Sequence, residues 1–434
     1  MTAMRLPPRA DVRIEPGTAA GALAAPASKS VTNRLLVAAT LAEGDSVLRE
    51  PLESDDSSVM RAGVTALGAR VEAEAEVWRV TGTGGRLTAP HGPIDAGLSG
   101  TTMRFLTAVA TLAPGPVQLT GRPPLLARPI AALVDALTAL GADVACEDGR
   151  PPVRVSGGGL PGGEVSIDVS ASSQFASAVL LVAPYARADV RVALQGTAAD
   201  EYVALTADVI RDWGASIWRD GPRAWRISPG GGYTGRDVAV EYDASAAAHL
   251  FGLAAATGGE VTVTNATVGS RQPDARFPEV LEAMGCAVSR HGDALTVSGP
   301  ERLSAVDVDL SGMPDQVTTL AALAALAGGR SVLRDVAVAR THETDRLAAL
   351  AAELAKLGVG VREHSDALEI DGGARGPATL DTYDDHRLGM AFASIGAAID
   401  GVVVSEPWCV AKTYPGFWAD ARRLGVGWRE VATT

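Results

Sequence analysis

Two kinds of helical segment alternate along this chain, and they differ in where their charged residues lie. Segments of the first kind are almost free of charge; they include residues 174–184, 244–257, 316–327 and 388–398. A helix that is apolar on every side is buried in a core. Segments of the second kind are amphipathic, and one of them carries an apolar stripe made of Ile130, Leu133, Val134, Leu137 and Leu140. The pattern predicts units that pair a buried helix with a half-exposed helix, with strands between them.

A glycine follows each amphipathic segment and recurs at a near-constant interval. The phrases "ALTALGADV" and "VLEAMGCAV" are two of the six copies. Their glycines are Gly68, Gly141, Gly214, Gly285, Gly358 and Gly425, with spacings of 73, 73, 71, 73 and 67 residues. A glycine in this position is typical of a helix C′ residue, which needs a positive φ. A fixed period over the whole chain predicts a repeated supersecondary unit.

The buried helices begin at a similar interval, which suggests a division into domains. Their expected starts are Ser28, Ser99, Ser172, Asp243, Asp315 and Asp385, spaced by 70 to 73 residues. The last unit has only 50 residues from Asp385 to the end, while the first 27 residues have no unit of their own. We infer that the N-terminal segment completes the last unit. This predicts one domain of residues 28–240 and a second, discontinuous domain of residues 1–27 and 241–434.

Composition narrows the classes of function. Hydrophobic residues make up 47% of the chain and aromatic residues only 4%, so the core must consist mainly of Ala, Val and Leu. The net charge of −13 argues against nucleic acid or an anionic membrane as a partner, although local positive charge can still bind a small anion. Cys146, Cys286 and Cys409 form no CxxC pair, which argues against a disulfide framework or a zinc site. Without a secretory signal or a membrane-length apolar run, we expect a cytoplasmic protein.

The starts of the buried helices are the most polar parts of these segments. Free backbone N–H groups and the positive end of the dipole make a helix start favourable for anions. Cationic side chains add to this positive potential: Lys29, Arg34, Arg104, Arg128, Arg387 and Lys412. Ser, Thr and Asp are also common N-cap residues, and for Asp243 the sequence indicates no role other than capping. Capping does not explain the cations, so we predict that helix starts of both domains converge on one anion-binding cleft.

Three further segments each allow two interpretations. The segment "RTHETDRL", residues 340–347, is either a solvated helix start or a Glu for proton transfer beside an Arg for an anion. The segment "ARPI", residues 127–130, is either a helix start with proline at its first position or part of the site. Lys412 is either an ordinary surface lysine or a ligand of the anion. Their joint occurrence favours the functional interpretation.

Together, these motifs resemble the EPSP synthase (3-phosphoshikimate 1-carboxyvinyltransferase) family of enolpyruvyl transferases. The matching stretches are "PASKSVTNR", "LSGTTMRF", "ARPI", "SASSQF", "HETDRL", "YDDHR" and "AKTYP", in the family's order and spacing over essentially the whole chain. The resemblance implies an α/β fold of two domains, each with three βαβαββ-type repeats, helices inside and sheets outside. It also implies transfer of the enolpyruvyl group of phosphoenolpyruvate to the 5-hydroxyl of shikimate 3-phosphate, in the shikimate pathway to chorismate and the aromatic amino acids.

The resemblance implies addition followed by elimination, without a metal, a cofactor or a covalent enzyme intermediate. Asp315 would be the base for the 5-hydroxyl, Glu343 the acid at C3, and Lys29 an aid to proton transfer and phosphate departure. The residues implied to bind shikimate 3-phosphate are Lys29, Ser30, Arg34, Ser172, Ser173, Gln174, Tyr202, Asp315 and His342. Those implied to bind phosphoenolpyruvate are Lys29, Gly100, Arg128, Gln174, Arg346, Arg387 and Lys412. Glu343 needs transient protonation, which burial would favour and the arginines would oppose.

Four positions depart from the family's pattern. His342 stands where many members have Lys, and Leu98 where Asn is frequent before the glycine of this turn. Ala199 stands where a phosphate-binding Ser is common, and Val338 where Asn is common. Phosphate contacts are therefore expected to be fewer. A neutral His342 would hydrogen-bond shikimate 3-phosphate, and its protonation would make activity sensitive to pH.

Other functions remain open at this point. The sister family that acts on UDP-N-acetylglucosamine carries a reactive Cys in the stretch matching "TGRPPLLARP", and residues 120–129 contain none. A ring of six units around nucleic acid needs basic inner helices, whereas the helices expected inside are uncharged. An inactive anion-binding relative is a further alternative, although Lys29, Asp315 and Glu343 are all present. We expect a monomer whose partners are the two small substrates. With Gly100 and the arginine set present, the resemblance also implies inhibition by glyphosate.

Overall fold

The computed structural model describes residues 10–74, 76–196 and 200–432. The chain divides into two compact units, each with its own hydrophobic core. Unit 1 comprises the described residues of Met1–Pro26 and Tyr242–Thr434, and unit 2 comprises those of Ala27–Glu241. Ala199, one of the positions that depart from the family's pattern, lies outside the described residues.

The chain begins in unit 1 and then forms the three repeats of unit 2. The N-terminal strands are β1 (Asp11–Glu15) and β2 (Ala20–Leu23). The first repeat contains α1 (Lys29–Leu41), β3 (Asp45–Arg49), α2 (Asp55–Ala66), β4 (Arg70–Glu74) and β5 (Val77–Thr81). The second contains β6 (Ile94–Asp95), α3 (Gly100–Ala110), β7 (Val117–Thr120), α4 (Pro123–Leu126), α5 (Ala131–Ala139), β8 (Val144–Glu147) and β9 (Arg150–Val155). The third contains β10 (Gly163–Asp168), α6 (Gln174–Val182), a 3₁₀ turn (Ala183–Tyr185), β11 (Val190–Gln195), α7 (Glu201–Asp212), β12 (Ser216–Arg219) and β13 (Ala224–Ser228), before β14 (Asp237–Ala239).

The remaining three repeats belong to unit 1. The fourth contains α8 (Ala244–Thr257), β15 (Glu260–Val263), a 3₁₀ turn (Pro273–Arg276), α9 (Phe277–Ala283), β16 (Ala287–His291) and β17 (Ala294–Ser298). The fifth contains β18 (Asp307–Asp309), a 3₁₀ turn (Pro314–Gln316), α10 (Val317–Leu326), β19 (Arg330–Arg334), a 3₁₀ turn (Ala337–Thr341), α11 (Arg346–Ala355), β20 (Gly360–Glu363) and β21 (Leu368–Asp371). The sixth contains β22 (Ala378–Asp381), α12 (His386–Ala398), β23 (Val402–Ser405), a 3₁₀ segment (Pro407–Lys412), α13 (Phe417–Arg423) and β24 (Gly427–Val431).

Each repeat builds one four-stranded sheet. The strand orders are β14-β3-β5-β4, β6-β7-β9-β8 and β10-β11-β13-β12 in unit 2. They are β2-β15-β17-β16, β18-β19-β21-β20 and β22-β23-β1-β24 in unit 1. In each sheet the first two strands are parallel and the other neighbours are antiparallel. This recurrence confirms the predicted α/β fold of repeated βαβαββ-type units.

The N-terminal segment contributes to two sheets of unit 1. Strand β1 pairs with both β23 and β24 in the sixth repeat. Strand β2 pairs with β15 in the fourth repeat, a role that the sequence pattern did not predict. Strand β14, which precedes the fourth repeat in sequence, pairs with β3 in unit 2. The parallel strand next to β15 is instead supplied by β2, from the segment that leads into unit 2.

One helix of each repeat is buried along almost its whole length: α1, α3 and α6 in unit 2, and α8, α10 and α12 in unit 1. Ser28, Ser99, Asp243 and Asp385 each cap one of these helices by accepting a backbone N–H. The six recurrent glycines all have a positive φ, between 74° and 109°, as predicted for helix C′ residues. Among the described residues, no helix is both long and apolar enough to cross a membrane. The polar starts of these helices carry the candidate site.

Candidate active site

Arg346, the first residue of α11, lies at the centre of a charged network in unit 1. Its side chain is 1% exposed. Its Nε donates to Asp385 Oδ2 at 2.8 Å, its Nη1 to Asp315 Oδ1 at 2.7 Å and its Nη2 to Glu343 Oε2 at 3.0 Å. Burial alone would lower the pKa of Arg346, but the three carboxylates raise it above its ordinary value. The guanidinium is therefore a permanent cation that holds three acidic side chains together.

Asp315 connects Arg346 to a second arginine, Arg387. It lies in the 3₁₀ turn that leads into α10, and its Oδ2 accepts from Arg387 Nη2 at 2.8 Å. Burial alone would raise the pKa of Asp315, but Arg387, His342 and Arg346 hold it well below its ordinary value. Asp315 is therefore a carboxylate at neutral pH, and 25% of its side chain remains exposed.

Glu343 connects Arg346 to Lys412. Its Oε1 accepts from Lys412 Nζ at 2.6 Å, and its Oε2 accepts from Arg346. Lys412 ends the 3₁₀ segment Pro407–Lys412, and its side chain is 9% exposed. Charge-assisted hydrogen bonds between buried groups are among the strong polar contacts of proteins. Glu343 therefore bridges two cationic side chains.

The ring of His342 lies beside Arg346 and Asp315. Its Nδ1 is 2.9 Å from Arg346 Nη1 and 3.2 Å from Asp315 Oδ1. Because an arginine nitrogen can only donate, we assign the acceptor role to Nδ1 and the proton of the neutral ring to Nε2. Burial lowers the pKa of His342, the contact with Asp315 opposes this, and the net shift is below the ordinary value. At neutral pH the ring therefore offers an uncharged N–H donor.

Arg346 and Arg387 lie at the starts of α11 and α12, where the helix dipole disfavours a cation. Carboxylates of the protein itself supply the compensating charge for Arg346 and Arg387. Asp385, the N-cap of α12, is 0% exposed and also accepts from the Arg387 backbone N–H at 2.9 Å. An anionic substrate must therefore compete with carboxylates that already occupy the cationic groups.

Glu343, Asp385 and His386 place three ligand atoms within 4.8 Å of one another, a spacing that a metal ion can use. However, Arg346 contacts both of these carboxylates, and Lys412 contacts Glu343. A divalent cation brought between two positive side chains would be repelled by both. The donor set fits proton transfer and anion binding better than a metal centre.

In unit 2 most of the predicted residues lie near the starts of α1, α3 and α6, whereas Arg128 lies between α4 and α5 and Tyr202 lies in α7. Lys29 is the first residue of α1, and its Nζ lies 3.3 Å from Asp56 Oδ2. Asp56 belongs to α2 and is 3% exposed, whereas the Lys29 side chain is 15% exposed. A buried carboxylate therefore orients the ammonium group at this helix start.

Gly100, the first residue of α3, lies against two arginines. An ideal Cβ at Gly100 would be 2.9 Å from Arg128 Nη1 and 3.3 Å from Arg104 Nη1. Arg104 Nη1 donates to Gln174 Oε1 at 2.8 Å, and its guanidinium lies 5.2 Å from the centre of the Phe175 ring. Because glycine has no side chain, two guanidinium groups approach a helix start that already favours anions.

Arg34 is more deeply buried than the other predicted cations of unit 2. It is 1% exposed, and its Nε donates to Thr206 Oγ1 at 2.7 Å. Its Nη1 donates to the Ser30 carbonyl at 2.9 Å and its Nη2 to the Tyr202 carbonyl at 3.3 Å. Burial lowers the pKa of Arg34 to about 10. In this arrangement Arg34 joins α1 to α7 and orients Ser30 and Tyr202.

The stretch "SSQ" forms the start of α6. Ser172 is 7% exposed, and its Oγ accepts from the Gln174 backbone N–H at 3.2 Å. The Ser173 carbonyl accepts from the Ser177 N–H at 3.1 Å within the first helical turn. These contacts fix the backbone from which the Gln174 side chain reaches Arg104.

The predicted residues thus fall into two groups, one in each unit. The group of unit 1 is Asp315, His342, Glu343, Arg346, Arg387 and Lys412, all joined by the contacts above. The group of unit 2 is Lys29, Ser30, Arg34, Gly100, Arg128, Ser172, Ser173, Gln174 and Tyr202. Sequence reasoning missed the contacts of Asp385 and Asp56. Asp385 was visible within "YDDHR" but was taken only as a helix start, while no pattern singles out Asp56.

Comparisons with known proteins agree over nearly the whole chain. A family profile described as "EPSP synthase (3-phosphoshikimate 1-carboxyvinyltransferase)" matches residues 15–420. A 3-phosphoshikimate 1-carboxyvinyltransferase of Methanoculleus marisnigri is 43% identical over 93% of this chain and 96% of its own length. The enzyme of the same name from Syntrophobacter fumaroxidans is 41% identical over 93% of this chain and 96% of its own length.

Solved structures share the fold. An EPSP synthase of Acinetobacter baumannii has a TM-score of 0.82 at 24% identity, covering 97% of this chain and 100% of that one. The enolpyruvyl transferase NikO of Streptomyces tendae has a TM-score of 0.79 at 20% identity, covering 99% of this chain and 100% of that one. At these identities the likeness establishes the fold alone.

Proposed function

This chain belongs to the EPSP synthase family, and we propose that it transfers the enolpyruvyl group of phosphoenolpyruvate to the 5-hydroxyl of shikimate 3-phosphate. The products are 5-enolpyruvylshikimate 3-phosphate and inorganic phosphate. The observation that carries the proposal is the network of unit 1, in which a single side chain, that of Arg346, contacts three carboxylates. A site of this kind can exchange its own carboxylates for those of anionic substrates and can move protons as it does so.

The reaction proceeds by addition and then elimination. The 5-hydroxyl oxygen forms a bond to C2 of phosphoenolpyruvate, gives its proton to a base, and C3 receives a proton from an acid. In the second step the bond between C2 and the phosphate oxygen breaks, phosphate departs, and C3 loses a proton. The protein must therefore supply one base, one group that both gives and accepts a proton, and cations for the departing phosphate.

Asp315 is the proposed base for the 5-hydroxyl. As an unliganded side chain it is a weak base, because Arg346 and Arg387 hold its pKa well below the ordinary value. We assign the same two arginines to the carboxylate and phosphate of phosphoenolpyruvate, since the arginine fork binds two oxygens at once. Binding that substrate would draw N–H groups away from Asp315 and make it more basic when the base is needed.

Glu343 is the proposed acid and base at C3. Lys412 and Arg346, which now contact its two oxygens, are also assigned to phosphoenolpyruvate. Transfer of these contacts to the substrate would remove positive charge from Glu343, which favours its protonated form. The protonation that the sequence left undecided would then be coupled to substrate binding.

The residues of unit 2 are assigned to binding. Lys29, Gly100, Arg128 and Gln174 would bind phosphoenolpyruvate. Lys29, Ser30, Ser172, Ser173, Gln174 and Tyr202 would bind shikimate 3-phosphate together with Asp315 and His342. The contacts of Arg34 support a role in orienting Ser30 and Tyr202 beside any direct contact with substrate. We propose that Lys29 stabilises the departing phosphate.

The function is tested by phosphate release from phosphoenolpyruvate in the presence of shikimate 3-phosphate. Release should require both substrates and should be abolished in the matched variant Asp315→Asn. UDP-N-acetylglucosamine should not replace shikimate 3-phosphate. Equal turnover with that sugar nucleotide, or no turnover with shikimate 3-phosphate, would assign the chain to another enolpyruvyl transferase activity.

We further propose that the enzyme acts as a cytoplasmic monomer without a metal or cofactor. All three cysteines are unpaired thiols, which fits a reducing compartment. Activity after exhaustive treatment with EDTA, and the mass measured by light scattering, would test these points. We also expect inhibition by glyphosate that weakens as phosphoenolpyruvate is raised.

A further inference from the structure

The turn before α12 has an unusual backbone. Tyr383 has a φ of 51° and Asp384 a φ of 57°, so two consecutive residues that are not glycine lie in the left-handed region. Such residues are strained and persist only where their surroundings hold them. The turn leads directly to Asp385, which caps α12, and to Arg387, which contacts Asp315.

A buried carboxylate holds this turn from the neighbouring helix. Glu353 of α11 is 1% exposed. Its Oε2 accepts from the Asp381 backbone N–H at 2.8 Å, and its Oε1 accepts from the Tyr383 hydroxyl at 2.8 Å. Within the turn, the Tyr383 N–H donates to Asp381 Oδ1 at 2.9 Å. Burial and the contact with Glu353 raise the pKa of Tyr383 to about 12, so its hydroxyl remains a donor at neutral pH.

Helix α11 therefore contacts the turn on both sides of the left-handed pair. Glu353 follows Arg346 by seven residues, so both side chains lie on one face of the helix, about 10 Å apart along its axis. Glu353 binds the chain before the pair, and Arg346 binds Asp385 directly after it. One helix therefore contacts the chain before and after the left-handed pair, just ahead of α12.

We propose that Glu353 is a positioning residue that holds the turn of residues 381–384, so that Asp385 meets Arg346 and Arg387 meets Asp315. Glu353 contacts none of the proposed substrate-binding side chains and acts through the backbone of the turn. The inference rests on the proposed function, because that function assigns Arg346 and Arg387 to phosphoenolpyruvate. Displacement of the turn should therefore affect that substrate before shikimate 3-phosphate.

A purely structural ion pair is the alternative role of Glu353. Its Oε2 also accepts from Lys356 Nζ at 2.6 Å, and the Lys356 side chain is 43% exposed. Because Glu353 is buried, loss of Lys356 would leave its carboxylate less compensated and should lower the stability of the protein. The variant Lys356→Met removes this pair and leaves the contacts of Glu353 with Asp381 and Tyr383, which makes it the matched control.

The main test is Glu353→Gln, which keeps the shape of the side chain but places an amide N–H₂ against donors. We expect the KM for phosphoenolpyruvate to rise about tenfold, the effect of one lost charge-assisted hydrogen bond. The KM for shikimate 3-phosphate should change less than about twofold, and Lys356→Met should keep both wild-type KM values even if it lowers stability. Equal KM values in Glu353→Gln and wild type, or equal shifts for both substrates, would overturn the proposal.

Two milder variants keep the test valid if Glu353→Gln folds poorly. Tyr383→Phe removes one contact of Glu353 and should raise the KM for phosphoenolpyruvate about threefold. Asp384→Gly relieves the left-handed strain, so it should leave KM unchanged alone but restore it in the Glu353→Gln background. A merely structural role of Glu353 predicts no such rescue, and failure of both effects counts against the proposal.

Amide hydrogen exchange separates this proposal from the proposed function, because it needs no turnover. In Glu353→Gln, exchange should accelerate within residues 381–387 and remain unchanged in α3. An inactive wild type with this local acceleration would reject the function and retain the positioning role. An active wild type, together with unchanged exchange in the variant, would retain the function and reject the positioning role of Glu353.

Discussion

The two units build helix starts of the same design but surround their cations differently. In unit 1, Arg346, Arg387 and Lys412 all contact carboxylates at 2.6 to 3.0 Å. In unit 2, Lys29 also lies near a carboxylate, that of Asp56, but the contacts of Arg34 and Arg104 include hydroxyl, carbonyl, amide and aromatic groups. On the proposed function, we expect the same repeat to provide a network for proton transfer in one unit and a surface for anion binding in the other.

This difference has a consequence for how each unit responds to substitution. Removing one partner of a buried charge network leaves the other charges uncompensated, which is among the most damaging changes in a protein. Displacing a cation that has neutral neighbours leaves a smaller electrostatic defect. Variants of unit 1 should therefore lower stability or the chemical rate, and variants of unit 2 should chiefly weaken substrate binding.

The largest effect is expected for Arg346→Met. Methionine fills part of the volume but leaves three carboxylates around an uncharged side chain, which should cost about 3–5 kcal/mol of unfolding free energy. Urea unfolding measures this loss, and activity should disappear with it. Arg211→Met, which removes an exposed pair with Asp208, is the control and should unfold like the wild type. An unchanged urea midpoint for Arg346→Met would show that the network does not stabilise unit 1.

Glu343→Gln should separate chemistry from stability. The variant keeps the shape of the side chain but cannot transfer a proton, so kcat should fall by about 10²–10⁴. Both KM values should change little. The thermal midpoint should fall, because the amide leaves the charges of Arg346 and Lys412 less compensated, so kcat is measured well below that midpoint to separate the chemical defect from the loss of stability. Glu363→Gln, at a partly exposed carboxylate paired with Arg340, should retain full kcat as a control. A fall in kcat below about tenfold would remove Glu343 from proton transfer.

Gly100→Ala tests the binding role of unit 2. The added methyl group would lie 2.9 Å from Arg128 Nη1, so the flexible arginine must move while the fold is kept. We expect the KM for phosphoenolpyruvate to rise about tenfold with kcat nearly unchanged. Gly115→Ala, where the new Cβ meets only Ala89 Cβ at 3.6 Å, is the control. If kcat falls and the KM for phosphoenolpyruvate does not rise, the assignment of substrate binding to unit 2 and of chemistry to unit 1 is wrong.

The sequence predicted most of the fold because its signals are local and repeated six times. The glycines with positive φ and the uncharged helices each follow from backbone sterics and burial. Contacts between elements were not predictable in the same way. Glu353 has the sequence context of an amphipathic helix, where a charged residue is expected to face water, yet it is buried and holds a turn 28 residues away. Asp56 meets Lys29 only because α1 and α2 pack together.

The smallest expected effect concerns His342, the uncharged member of the network in unit 1. The groups that face it are Asp315, Arg346 and Glu343. Its pKa is lower in the folded protein than the ordinary value of about 6.5, so the ring is neutral at pH 7 and gains a proton only under acidic conditions. The added proton on Nδ1 would oppose the N–H of Arg346, which now donates to that atom.

The sign of the pH effect follows from this lowered pKa. The unfolded chain binds the proton more readily than the folded one, so the stability that His342 contributes is lost as pH falls from about 6.5 toward the folded pKa. His342→Gln cannot titrate, and its amide N–H₂ can replace the Nε2–H donor. We therefore expect this variant to lose less stability than the wild type between about pH 7 and pH 5, and to lack the acidic fall in kcat/KM. His364→Gln, at a half-exposed histidine of unit 1, is the control and should keep the wild-type profile. Superimposable profiles of wild type and His342→Gln would mean that proton exchange in unit 1 involves only its carboxylates, which would sharpen the contrast with unit 2 rather than remove it.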